Sequence, residues 1–358
     1  MKLVVNLKLQ PTPDQHAALL ATLVKANAAC NHVSAVAWER RVFGQYALHR
    51  LLYYDVKEMF GLTAQVAVRC IAKVADAYKA DKRVQRRFRS HGSIAYDDRI
   101  LRFKPGDSVS IWTVAGRQAI PFVCGDHQRR LLPFRKGQTD LLYVRGVFYL
   151  SAVCEVDEPE MMEASDVLGV DLGIVNLAVD SDGTVYSGEA VEQQRRIHAH
   201  RRRNLQRKRT HAAHRKLRRI AGQQRRFQAH TNHVISKTIV QSAQRTGRGL
   251  ALEDLTGIRG RVTARRRQRA RLGNWAFSQL RQFITYKARL AGVPVFPVDP
   301  RNTSRTCPGC GSVEKANRVS QAQFLCQSCG LAGLADYIAA RNIRARAVVD
   351  QPMFPATA

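Results

Sequence analysis

The stretch Val167-Leu-Gly-Val-Asp171-Leu-Gly173 decides how the rest of the chain is read. An apolar run ends in one carboxylate, with glycines at 169 and 173 on either side. Such small neighbours let a polyanion and a metal ion approach the backbone. Leu177-Ala-Val-Asp180 follows after a turn, and Asp182-Gly183 turns the chain again towards Val185-Tyr186. The three runs read as the opening strands of one sheet. The pattern returns in Gly249-Leu-Ala-Leu-Glu253-Asp-Leu255, a strand ending in Glu253. A third acid, Asp336, opens the helical stretch Asp336-Tyr-Ile-Ala-Ala-Arg-Asn342.

Taken singly, each acid has an ordinary explanation. Asp171 suits turn chemistry, Glu253 a strand end, and Asp336 a helix N-cap. Taken together, acids on two strand ends and one helix start match the needs of two-metal chemistry. Two Mg²⁺ ions held close together require several oxygen ligands. Strand alternation turns Asp254 away from Glu253, and Asp180 and Asp182 read as turn residues.

Between the second and third acids lie Cys307-Pro-Gly-Cys310 and Cys326-Gln-Ser-Cys329, two knuckles separated by fifteen residues. Four thiolates with no open position suit one structural Zn²⁺, the alternative being disulfide pairs. Cys30, Cys70, Cys124 and Cys154 are scattered in apolar contexts and read as buried free thiols. That usage suits an intracellular, reducing setting, and the expected location is cytoplasmic and nucleoid-associated.

Lys and Arg number 58 against 28 Asp and Glu, a net charge of +30. This excess suits a nucleic-acid partner better than a membrane or a small neutral substrate. Residues 195–226 carry fourteen Arg or Lys and no acid, and Arg259–Arg271 carries seven arginines and no acid. Without a counterion such runs repel themselves, so phosphate is their natural partner. Arg201, Arg202, Arg203 and Arg207 are the expected backbone contacts. The histidines at 198, 200, 211, 214, 230 and 233 form no ligand pattern.

Residues 3–9 read as a strand. Thr12, Pro13 and Gln15 read as a capping box, opening a mostly helical region from Pro13 to about Phe88. Within it, Gln65, Arg69 and Lys73 recur at helical spacing, a polar stripe suited to reading a DNA major groove; the competing explanation is an ordinary solvated face. Short strands from 94 to 156 suggest a small β-barrel, closed by the N-terminal strand. The acidic stretch from Glu155 to Asp166 marks a domain boundary.

The order of these parts resembles the TnpB (OrfB) family encoded by insertion sequences, related to type V CRISPR effectors. The resemblance rests on Gly169-Val-Asp171-Leu-Gly173, Glu253-Asp-Leu255, Tyr286-Lys-Ala288 leading to Gly292, Thr303-Ser304, the cysteine ribbon, Asp336-x-x-Ala-Ala-x-Asn342 and the start Leu9-x-Pro11-Thr12. It implies a multidomain α+β protein. A RuvC-type, RNase H-like α/β nuclease domain would span 165–300 and 333–346, with an inserted zinc ribbon at 301–332. A helical recognition domain would span 11–92, a β-barrel wedge domain 1–10 and 93–158, and a tail 347–358.

The resemblance further implies an RNA-guided, Mg²⁺-dependent DNA endonuclease with guide RNA and target DNA as partners. Cleavage would use Asp171, Glu253 and Asp336 beside a short target-adjacent motif. Two positions depart from the family pattern. Ile338 stands where Asn is usual, and Leu331 where His is usual; the first is expected to alter a contact behind Asp336. A miniature type V CRISPR effector, a guided DNA-binding repressor and a strand-joining transposase are the competing readings. The three acids argue against the repressor, and the late ribbon argues against the transposase.

Overall fold

The computed structural model describes residues 1–254 and 277–350, and the chain divides into two compact units, Met1–Asp157 and Glu158 onward. The boundary falls inside the acidic stretch that the sequence singles out. The basic run Arg259–Arg271, together with Leu255, lies outside the described residues.

The first unit opens with strand β1 (Lys2–Leu9) and helices α1 (Pro13–Glu39), α2 (Gln45–Phe60) and α3 (Ala64–Ala80). The capping box forms as expected. Thr12 Oγ1 accepts from the Gln15 N–H at 3.3 Å, and Gln15 Oε1 accepts from the Thr12 N–H at 3.1 Å. Helix does not continue to Phe88. It ends at Ala80, because polar side chains on α1 take the place of helical partners for the backbone that follows. Asn31 accepts from the Phe88 N–H and donates to its carbonyl, Ser34 donates to Arg86 O at 2.6 Å, and Asn27 donates to Gly92 O at 2.9 Å.

Six further strands complete the sheet of this unit: β2 (Ile94–Tyr96), β3 (Leu101–Lys104), β4 (Ser108–Thr113), β5 (Gly116–Val123), β6 (Arg135–Val144) and β7 (Val147–Glu155), with a short helix α4 (Asp126–Leu131) after β5. Their order is β2-β6-β7-β1-β5-β4-β3, with the N-terminal strand in the middle. The edge strands β2 and β3 are consecutive in the chain. A flat sheet of seven strands would hold those edges about 29 Å apart. The five Cα steps from Tyr96 to Leu101 reach at most about 19 Å, so the sheet must curl. Leu7, Ile111, Ile120 and Leu150 share one apolar cluster with Leu19, Val33, Leu48 and Ile71, so sheet and helices fold around a common core.

The second unit holds β8 (Val167–Asp171), β9 (Asn176–Asp180), β10 (Val185–Ser187), β11 (Gly249–Glu253) and β12 (Val295–Val298) in the order β10-β9-β8-β11-β12. The first three strands pair antiparallel, whereas β8, β11 and β12 run parallel. Helices α5 (Glu189–Lys208), α6 (His211–Ile220) and α7 (Gln223–Arg245) fill the basic region. Helix α8 (Phe277–Leu290) precedes β12, and α9 (Ala335–Asp350) follows the ribbon and runs through the expected boundary at 346.

Strand alternation sorts this unit into layers. Leu168, Val170, Leu250 and Leu252 pack with Ile239 of α7 and with Leu280 and Ile284 of α8. Val167, Ala251 and Val298 face Ile343 and Ala347 of α9. Gly169 belongs to the second face, and its role differs from the expected one. A Cβ there would lie 2.2 Å from Ala340 O and 2.6 Å from Arg344 N. The missing side chain therefore lets the helix backbone press onto the strand; it does not serve access by a polyanion. Arg344 also pairs with Asp166 at 2.6 Å at the start of β8, so α9 runs antiparallel to that strand.

Gly169→Ala is expected to lower stability by about 1–3 kcal/mol, because helix or strand must shift to admit the methyl group. Denaturant unfolding of the full-length protein checks this, and an unchanged midpoint would show that the contact yields freely.

Candidate active site and ribbon

Alternation that puts Val167 and Gly169 against α9 puts Asp171 on the same face. Glu253 shares that face through Ala251. The parallel register pairs Ala251 with Gly169 and Leu252 with Val170, so Glu253 and Asp171 end their strands side by side. Asp336 lies in the first turn of α9, the end of the helix nearest these strand ends. Asp254 points to the opposite face and pairs with Arg281 of α8 at 2.8 Å, as alternation requires. Asp180 accepts from the Asp182 and Thr184 N–H groups, and Asp182 pairs with Arg248, so both serve the turn.

Asp171 bears the cost of this crowding. Burial, followed by the charges of Glu253 and Asp336, pushes the Asp171 carboxyl up from 3.8 to about 8, against the pull of Arg318. Burial also raises Glu253, although the Thr303 hydroxyl bond and the charges of Arg346 and Arg318 oppose it. Carboxylates that resist ionisation without a cation form a donor set suited to a divalent metal ion.

Neighbouring side chains fix the orientation of this set. Thr303 Oγ1 donates to Glu253 at 2.5 Å. Asn342 of α9 donates to the carbonyls of Thr303 and Thr306, both at 2.7 Å, anchoring that turn. Asn176 Nδ2 donates to Asp336 Oδ2 at 2.9 Å. Arg318 reaches Asp336 at 3.6 Å from the segment between the two cysteine knuckles. Thr303 and Asn342 stand within motifs visible in the sequence. Asn176 and Arg318 carry no local signal, since only folding brings them to the acids. Gly173 permits the tight turn before Asn176, whose carbonyl would lie 2.5 Å from an added Cβ.

Among the described residues, the four cysteines form the one cluster of three or more metal-ligating side chains within a common ligand radius. Cys307 and Cys329 Sγ lie 3.6 Å apart, and Cys310 and Cys326 Sγ 3.5 Å. A tetrahedral ion with Zn–S of about 2.3 Å holds its sulfurs about 3.8 Å apart, so the donor set fits zinc and excludes disulfides. Gly311 and Gly330 follow the knuckles at φ +75° and +74°, a left-handed turn that glycine adopts without strain. The Cys329 N–H donates to Cys326 Sγ at 3.4 Å and pulls that thiol down to about 6.

Strands β13 (Gln323–Leu325) and β14 (Ala332–Leu334) join this ribbon to α9. Ile338 is buried with Cys307, Phe324, Cys326 and Ala335, and Leu331 packs on the same cluster. The two departures from the family pattern thus meet in one apolar seam. Ile338 seals ribbon to helix there by packing. Cys30, Cys70 and Cys154 are buried free thiols as expected, and Cys124 is partly exposed.

The nucleic-acid candidates divide. Arg201, Arg202, Arg203 and Arg207 stand exposed on α5, a helix with no buried residue. Gln65, Arg69 and Lys73 are instead committed to internal bonds. Gln65 and Arg69 both reach Asp97, the arginine at 3.0 Å, and Lys73 donates to Asn27 and Ser93 O, each at 2.7 Å. These bonds tie α3 to α1 and to the residues on either side of β2, so the stripe is not free to face a groove.

Residues 151–258 match the family model described as a probable transposase (OrfB), and residues 277–343 match the Cas12f1-like TNB domain. Between residues 151 and 343 the chain is thus similar to OrfB and Cas12f1-like proteins. Cas12f1, a CRISPR-associated endodeoxyribonuclease of Sulfoacidibacillus thermotolerans, is 44% identical over 33% of this chain and 26% of its own length. A TnpB-like protein of Methanocaldococcus jannaschii is 34% identical over 36% of this chain and 45% of its own. InsQ of Escherichia coli, a putative RNA-guided DNA endonuclease, is 29% identical over 56% and 54% respectively. The chain thus spans about a quarter to about half of these relatives. In fold it resembles Cas12f1 as solved with sgRNA and target DNA, with a TM-score of 0.57 over 92% of this chain and 83% of that one at 17% identity. The multidomain α+β architecture is therefore a Cas12f-like one. Among the described residues no helix is long and apolar enough to cross a membrane.

Two outcomes follow from the site. Elemental analysis of the purified protein is expected to give about one zinc per chain, and Cys307→Ser to reduce that content; zinc-free native protein would refute the ribbon assignment. In metal-free protein, the native state retains an Asp171 proton that the unfolded chain releases near 3.8. Stability therefore falls as pH rises from about 4 towards about 8. Asp171→Asn should flatten that fall and stabilise the metal-free protein at pH 8 by about 1–3 kcal/mol. Identical pH profiles in thermal unfolding would contradict it.

Proposed function

We propose that the chain is an RNA-guided DNA endonuclease of a transposable element, with Asp171, Glu253 and Asp336 as its catalytic carboxylates. The observation that carries this reading is the convergence of two adjacent parallel strand ends and one helix start on a single face, each supplying an acid. The second unit would be a RuvC-type, RNase H-like domain of residues 165–300 and 333–346, interrupted by the ribbon at 301–332. The first unit would supply a helical recognition domain at 11–92 and a barrel-like wedge domain at 1–10 and 93–158. The names of the relatives support the guide RNA and target DNA as partners.

The three carboxylates would hold Mg²⁺, which when bound supplies an activated water and stabilises the leaving 3′-oxygen. The chain's own groups do the positioning. Thr303 occupies one Glu253 oxygen and leaves the other for the site. Asn176 holds Asp336 by one oxygen, while Arg318 faces the other and offers a cation to the phosphate of an incoming strand. The arginines of α5 would bind phosphate backbone without reading sequence, so their contribution falls as salt rises.

A miniature type V CRISPR effector is the second reading, favoured by the Cas12f1 relative and the TNB match. A repeat array beside the gene would distinguish it. A guided repressor would not need the three acids that this chain retains.

The test uses full-length protein with the RNA that co-purifies with it, Mg²⁺ and a plasmid carrying the matching target. Asp171→Ala, Glu253→Ala and Asp336→Ala should each reduce cleavage by about 10³-fold or more while guide and target binding persist. Normal cutting by any one variant removes that residue from the catalytic set. Strand joining in place of cutting would point to a transposase.

A further inference from the structure

A cleft of about 280 Å³ opens beside the acids, where β9, β10, the ribbon and the first turn of α9 meet. Val179, Val185, Leu334 and Tyr337 form its apolar walls, Asn176 and Gln321 supply amides, and Asp336 stands at one side. Val185 is 44% exposed and Leu334 58%. In a chain of net charge +30, such apolar surface beside a charged site calls for an occupant.

The polar groups are poised rather than spent. Asn176 uses Nδ2 on Asp336, and its Oδ1 has no partner among the described residues. The Gln321 side chain likewise has none there, whereas its main-chain carbonyl accepts from Arg318 at 3.1 Å. That same guanidinium pairs with Asp336. One arginine thus links the cleft wall to the acid cluster.

We propose that this cleft receives one nucleobase of the DNA strand whose phosphodiester lies at the three carboxylates, and so sets a base preference at the nucleotide beside the cut. The inference rests on the nuclease reading above. Size argues for a single ring: the cleft falls just below the range of about 300–1,000 Å³ typical of small-molecule sites. Chemistry argues for a base: apolar walls and a tyrosine ring take a π-face, and two amides offer a donor and acceptors to its edge. Position argues for a base of the reacting strand, since Asp336 belongs to both cleft and acid cluster. A metal ion is a poor occupant, because Asp336 is the sole acid of the wall.

The test has two arms, both on full-length protein. In the first, an oligothymidine carrying one 2-aminopurine is bound in EDTA, where no cutting occurs. Fluorescence should fall on binding to wild type, and the fall should be largely lost in Leu334→Ser and Tyr337→Ala. In the second, target strands with one abasic site, moved through the cut region, are cleaved in Mg²⁺. One position should lose about tenfold in kcat/KM for wild type, and Gln321→Ala or Leu334→Ser should erase that position effect. Equal quenching in wild type and variants, or an abasic scan without a sensitive position, would overturn the base cleft. If wild type quenches and the variants do not, yet no preparation cuts DNA, the nuclease reading fails and the cleft stands. If wild type cuts and the variants quench as it does, only the cleft fails.

Discussion

The close approach of α9 to β8 at Gly169 is the constraint on which the second unit turns. With no Cβ in the way, the helix lies directly on the strand, and the Arg344–Asp166 pair fixes its direction. That placement carries Asp336 to the strand ends where Asp171 and Glu253 already stand. A helix held farther out would leave the third acid short of the other two. The same helix carries Asn342, which holds the Thr303 turn, and Thr303 in turn holds Glu253. Packing and site geometry are therefore consequences of one backbone contact.

The site is also an electrostatic exception within the chain. Cations outnumber acids by 58 to 28 overall, yet the strand ends concentrate carboxylates, and burial with the charges of Glu253 and Asp336 raises Asp171 among them. A general positive field draws a polyanion to the surface, while a local negative centre draws a divalent cation. Arg318 moderates the centre from the ribbon side, so ribbon and acids form one electrostatic group.

Period-two alternation made much of this visible in the sequence. It set the ends of β8 and β11 and turned Asp254 away from Glu253, to where Arg281 meets it; that Asp171 and Glu253 share a face follows only from the parallel register of the two strands. The cysteine spacing and the capping box at Thr12 were equally legible, because each is a local pattern with a local cause. What escaped was long-range. The end of helix at Ala80 depends on α1 asparagines that bond backbone 57 and 65 residues further on. The stripe of Gln65, Arg69 and Lys73 has the spacing of a free polar face, but Asp97 and Asn27 claim it. Arg318 and Asn176 gain meaning only once the ribbon and β9 are folded beside α9. Gly169 reads in the sequence as room for a ligand, whereas its cause is a helix.

The apolar seam of Leu331 and Ile338 has a consequence for how ribbon and helix hold together. The family that this chain resembles commonly has His and Asn at these two positions, and here both are aliphatic and share one cluster with Phe324 and two zinc-binding cysteines. A polar residue restored at Ile338 alone would be buried against hydrocarbon without a partner. Ribbon and helix are thus joined by a dry seam that one polar substitution would open.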